Sequence, residues 1–175
     1  MNTGTNNIRR LVFAALLAAL ACVCTMVIQI PVPATGGYIN LGDSIVLLCA
    51  WYIGGVYGIA AAGIGTMMAD IFSGYAIYAP ATFVIKACMA FAAWAIFRKI
   101  RSHKGQYLGA LAAALIMMTG YLFYEAVILG YGFGAAAAIP ANLIQGFTGC
   151  TGGVVLSMLM EKNSFLRNML HMRKL

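Results

Sequence analysis

Three carboxylates and one lysine, Asp43, Asp70, Glu125 and Lys86, stand inside apolar runs long enough to cross a bilayer, whereas all ten other lysines and arginines sit at the ends of such runs. A charge at the bilayer centre costs ~2.5–3.5 kcal/mol on insertion scales, so residues of this kind face a protein interior or a polar cavity rather than lipid. Around them the sequence places Tyr38, Asn40, Tyr75, Tyr78, Tyr121, Asn142 and Gln145. These side chains recognise rather than react. Carboxylates accept hydrogen bonds, an ammonium donates them, amides do both, and aromatic faces lie against flat rings. Together they suit a flat, polar heterocycle.

Other chemistry is not written in the chain. There is no G-x-x-x-x-G-K-[ST] phosphate loop, no H-E-x-x-H, and no serine or cysteine with a partnered histidine. The two histidines, His103 and His171, lie in basic segments. Cys22, Cys24, Cys49, Cys88 and Cys150 all fall in apolar stretches without metal-ligand spacing and read as small hydrophobic filler. We therefore expect no enzyme activity, cofactor or metal, and any ATP hydrolysis must come from another chain.

The elements that position the polar residues follow from composition. Of 175 residues, 63% are hydrophobic and 9% charged, against roughly 25% charged in soluble domains. Lipid must therefore be the solvent. At about 20 residues per crossing, the chain holds about six helices. The expectation is an all-α polytopic membrane domain over 1–175, with helices near 8–30, 41–53, 59–72, 81–97, 107–129 and 135–160. Pro31 and Pro33 end the first helix. Uncharged loops are expected at 34–40, 73–80 and 130–134, with a glycine turn at Gly54-Gly55 and Gly58. Arg9-Arg10 followed by Ala19-Leu20-Ala21-Cys22 faintly resembles a cleavable leader. The apolar run continues to Ile30, however, so a retained helix is expected.

The net charge of +7 is distributed as membrane topology rather than as a nucleic-acid patch. Arg9 and Arg10 precede the first run, Arg98, Lys99, Arg101 and Lys104 fill one connection, and Lys162, Arg167, Arg173 and Lys174 follow the last run. Six crossings put all of these on the cytoplasmic side with both termini, and leave 31–40, 73–80 and 130–134 outside without a lysine or arginine. Five crossings would not. On this topology Asp43, Asp70, Lys86, Glu125, Asn142 and Gln145 all lie toward the external face, as a site opening outward requires. In the fifth helix Tyr121, Tyr124-Glu125 and Ile128 share one stripe; in the sixth Asn142, Gln145, Gly149 and Gly152 do.

Each residue also has a plainer use. Asp43 suits a helix amino terminus, Asp70 and Lys86 suit a structural ion pair, and tyrosines near helix ends suit the interfacial belt. An isolated buried charge is unfavourable, so Lys86 is expected to pair with Asp70 or Glu125. Ala14-x-x-x-Ala18, Ala15-x-x-x-Ala19 and Gly54-x-x-x-Gly58 have the spacing that allows close helix approach.

Two stretches carry a resemblance. Gly37-Tyr38-Ile39-Asn40-Leu41-Gly42-Asp43, and Asp70-Ile71-Phe72-Ser73-Gly74-Tyr75-Ala76-Ile77-Tyr78-Ala79-Pro80-Ala81-Thr82 through Ile85-Lys86, resemble the substrate-binding S components of energy-coupling factor (ECF) transporters. The branch they are most similar to is the riboflavin type, with its hydroxymethylpyrimidine and pyridoxine carriers. The resemblance implies a multi-pass subunit of the cytoplasmic membrane that takes a vitamin from outside and pairs with a transmembrane T subunit and two cytoplasmic ATPases. It further implies a substrate beneath residues 34–40, and T-subunit docking on Ala14, Ala15, Ala18 and Ala19. The rival reading is a self-sufficient proton- or sodium-coupled carrier with Asp70 and Glu125 as proton sites; such carriers are usually built from repeats, and no repeat is visible.

Overall fold

Helix α1 (Thr3–Val27) ends three residues before its apolar run does, because the chain turns into a strand there. This computed structural model describes residues 3–33 and 35–163. The expectations for Arg167, His171, Arg173 and Lys174 fall outside the described residues. Pro31 cannot continue a helix and holds the residue before it extended. Strand β1 (Gln29–Val32) accordingly pairs antiparallel with β2 (Gly37–Asn40), Gln29 opposite Asn40 and Val32 opposite Gly37. The described part of the expected uncharged loop, 35–40, thus belongs to a short hairpin, its turn passing through Gly36 at φ 70°.

Helix α2 (Gly42–Leu48) continues as a π-helical turn, Cys49–Ile53. Gly42–Ile53 rises only about 18 Å at 1.5 Å per residue, well short of the ~30 Å hydrocarbon core. It survives at this length because protein, not lipid, surrounds it: every residue of α2 is buried. Small residues on its neighbours make room. A Cβ on Gly149 would lie 2.6 Å from Asp43 Cβ, one on Gly152 2.4 Å from Ser44 Oγ, and one on Gly58 2.3 Å from the Cys49 carbonyl oxygen.

Gly54 and Gly55, both with positive φ, turn the chain into α3 (Gly55–Phe72). Helix α4 (Ala79–Lys99) starts with Pro80 in its first turn, where a missing N–H leaves no bond broken. Helix α5 (His103–Phe123) ends in a second π-helical turn, Tyr124–Ile128, and a 3₁₀ segment, Gly132–Ala138, leads into α6 (Ile139–Lys162). Among the described residues α1, α3, α4, α5 and α6 are long and apolar enough to cross a membrane, with α2 as a sixth, shorter apolar helix. The fold is helical and polytopic, as composition requires. Outward-facing Leu11, Leu16, Val56, Leu111 and Phe147 give it an apolar perimeter.

Candidate functional site

The uncharged end of the bundle holds a cavity of about 420 Å³ of empty space, its open mouth included. The hairpin roofs it with Val32, Thr35, Gly37, Tyr38 and Asn40; Asp70 enters from α3, Tyr78 and Thr82 from α4 and its approach, Tyr121 from α5 and Glu125 from the π-helical turn after it, Ala138 from the 3₁₀ segment, and Asn142 and Gln145 from α6. Eight of the residues expected from sequence therefore converge: Tyr38, Asn40, Asp70, Tyr78, Tyr121, Glu125, Asn142 and Gln145. Glu125 sits in the π-helical turn that ends α5. Such turns are rare and often mark functional positions.

Hydrogen bonds tie the roof to the walls. Tyr38 donates its hydroxyl to Asp70 Oδ1 at 2.5 Å, and the Asn40 backbone N–H donates to Gln145 Oε1 at 3.1 Å. The Tyr78 hydroxyl lies 2.7 Å from the Thr35 carbonyl oxygen and 3.2 Å from Glu125 Oε1. Burial, reinforced by Asp70, pushes the Tyr38 phenol upward; burial and then Glu125 do the same to Tyr78. Both phenols stay protonated and act as donors.

Lys86 does not do what the sequence suggested. It donates to Asp43, not to Asp70 or Glu125, in an ion pair whose lysine is only 1% exposed. Gln145 Nε2 donates to the other Asp43 oxygen at 2.9 Å, and the Lys86 ammonium lies 5.4 Å from the centre of the Tyr121 ring. The reason is geometric. The short α2 is central, so Asp43 meets both α4 and α6, while Asp70 is held toward the hairpin by Tyr38. Asp43 makes no side-chain bond that caps α2. Asp43 and Lys86 lie behind the cavity wall, linked to it through Gln145. Tyr75 is outside the cavity too, its ring 4.5 Å from that of Tyr38.

Five lining residues are not among the expected site residues: Val32, Thr35, Gly37, Thr82 and Ala138. Thr82 bonds the Tyr121 hydroxyl at 2.9 Å and lies one turn before Lys86, within the stretch that carries the family resemblance. Thr35 and Gly37 lie in the 34–40 segment that the resemblance sets over the substrate, and the pairing of its strands brings them to the cavity.

The alanines of α1 divide. Ala14 is buried in the core, and Ala18 meets α3, where a Cβ on Gly65 would lie 2.3 Å from its carbonyl oxygen. Ala15 and Ala19 are exposed.

Comparison with known proteins agrees with this geometry. The family model of the ECF-type riboflavin transporter S component matches residues 5–162. A protein of Pyrococcus woesei, described as an uncharacterized protein in the gap 3′ region, is 34% identical over 142 residues, covering 80% of this chain and 93% of its own. A solved structure, described under "Structure and mechanism of the S component of a bacterial ECF transporter", superposes with a TM-score of 0.73 at 25% identity, covering 88% of this chain and 96% of the other. A helical membrane bundle whose polar cavity opens at its uncharged end, matched over nearly its whole length by that model, belongs to the ECF-type riboflavin transporter S component family and is a transporter's substrate-binding subunit.

Proposed function

We propose that this chain captures a small vitamin or vitamin precursor from outside the cytoplasmic membrane and delivers it for ATP-driven uptake. Its partners in this reading are a transmembrane T subunit and two cytoplasmic ATPases. The ligand is a flat heterocycle of the hydroxymethylpyrimidine, pyridoxine or riboflavin type, held in the cavity under the hairpin.

The observation that carries the reading is the convergence of tyrosines, amides and carboxylates from four helical elements and a hairpin on one cavity at the uncharged end. The binding residues are those eight, with Asp43 and Lys86 supporting the wall from behind. Ala15 and Ala19, exposed on α1, offer the T subunit a surface on which backbones approach closely.

The test is uptake in proteoliposomes with and without co-expressed T subunit and ATPases. Uptake that requires those subunits and ATP is the expected result. Uptake by the chain alone, driven by a proton or sodium gradient, would replace this reading with that of a self-sufficient carrier.

A further inference from the structure

The hydrogen-bond inventory of the cavity is lopsided. Asp70 Oδ2 and Glu125 Oε2 are buried and have no hydrogen-bond partner among the described residues, and both residues are 3% exposed. Thr35 Oγ1 is also without a partner. The Thr82 hydroxyl reaches toward Asp70 and the Thr35 hydroxyl toward Glu125 as side-chain donors, but neither closes to a bond with good geometry on Asp70 Oδ2 or Glu125 Oε2, so one hydroxyl apiece is the most the walls bring to two charged oxygens.

Glu125 is short of donors on its other oxygen as well. The single Tyr78 proton is shared between two acceptors, and the Thr35 carbonyl at 2.7 Å is closer than Glu125 Oε1 at 3.2 Å. The cation at this depth does not make up the difference, because Lys86 is in contact with Asp43. Three carboxylates thus share one ammonium, and the two that line the cavity are the two not paired with it. A buried acceptor left unsatisfied costs about 1–3 kcal/mol, and more when it is charged. The missing partners are donors.

We infer that the cavity is built for a ligand that brings hydrogen-bond donors to Asp70 and Glu125: an amino-substituted, protonatable nitrogen heterocycle rather than a ring edged by carbonyls. This deepens the reading of the cavity as a vitamin site and rests on it. The aromatic rings of Tyr38, Tyr78 and Tyr121 supply walls for the ring itself. An amino group beside a ring nitrogen has the donors the two carboxylates lack. A carbonyl in the same position would set lone pair against lone pair.

The experiment is titration calorimetry on the full chain in detergent with a matched pair of probes, 4-amino-5-hydroxymethyl-2-methylpyrimidine and its 4-oxo counterpart, with riboflavin as a third. The amino compound is expected to bind at least tenfold tighter than the oxo compound. Asp70→Asn and Glu125→Gln, each of which exchanges an acceptor oxygen for an amide donor, should narrow that ratio by weakening the amino compound selectively. The parent protein's ratio stands as a test even if a variant fails to fold. Equal or tighter binding of the oxo compound or riboflavin, or no binding of the amino compound, overturns the inference. Either result leaves subunit- and ATP-dependent uptake, measured separately in proteoliposomes, to decide the transporter reading.

Discussion

Lys86 and Asp43 show how a buried charge is accommodated in this molecule. Neither is stable alone at this depth; together with Gln145 they form a closed unit in which the ammonium meets one carboxylate oxygen and the amide meets the other. Removing one member of a buried pair typically costs ~3–5 kcal/mol, because the survivor stays buried and unpaired. Lys86→Met should therefore lower the thermal midpoint in detergent sharply, and adding Asp43→Asn should restore most of it. Rescue by neutralising Asp70 or Glu125 instead would mean that Lys86 pairs across the cavity. A Lys86→Met protein as stable as its parent would remove the pair from the account of the fold. Asp70 and Glu125 are arranged differently. Each has one oxygen beside a tyrosine hydroxyl and the other without a hydrogen-bond partner among the described residues, which is the basis of the ligand proposed above.

At the scale of elements, the hairpin and α2 explain the site. The hairpin is held by bonds from Tyr38, Asn40 and Tyr78, so it is a bonded roof rather than a free loop. Tyr78→Phe removes the hydroxyl that reaches both Thr35 and Glu125, a loss of about 1–3 kcal/mol where acceptors stay buried. Hydrogen exchange at 37–40 should quicken while α2 keeps its protection; unchanged protection of the hairpin would show that Tyr78 does not hold it. Helix α2 depends on close approach by α6. Gly149→Ala would set a methyl 2.6 Å from Asp43 Cβ, whereas Gly134→Ala meets nothing within 4 Å. Overpacking of this kind costs roughly 1–3 kcal/mol. The first variant should melt lower and the second should match the parent. Equal midpoints would show that the α2–α6 contact yields without cost.

For the whole molecule, the question is which surface of α1 meets a partner. Ala14 and Ala18 are occupied within the chain, Ala18 against α3. Leucine at either position should therefore destabilise the isolated protein. Ala15 and Ala19 are exposed, so Ala15→Leu or Ala19→Leu should leave ligand affinity unchanged. Both should cut uptake with the T subunit and ATPases by roughly tenfold or more, the effect of losing about 1.4 kcal/mol at the contact. Normal uptake in both variants would move the docking surface off this face. Parallel loss of binding and uptake would make the alanines structural.

The class, the number of helices and the end of the bundle where the polar residues gather are all legible along the chain. Those follow from quantities summed along the chain: apolar length against bilayer thickness, and the side on which Arg98, Lys99, Arg101 and Lys104 must lie. Depth followed too, since helical rise converts position into height. What depth cannot say is azimuth, and azimuth decides partnership. Asp43, Asp70 and Glu125 were equal candidates for Lys86 by height; only the burial of α2 at the centre brought Asp43 to it. In the same way, four alanines one turn apart looked alike until α3 packed against one side of α1. The hairpin was hidden for a related reason. Its two strands are four residues each, and their pairing is fixed by bonds from Asp70, Tyr78 and Gln145, residues remote in sequence that only tertiary packing brings beneath them.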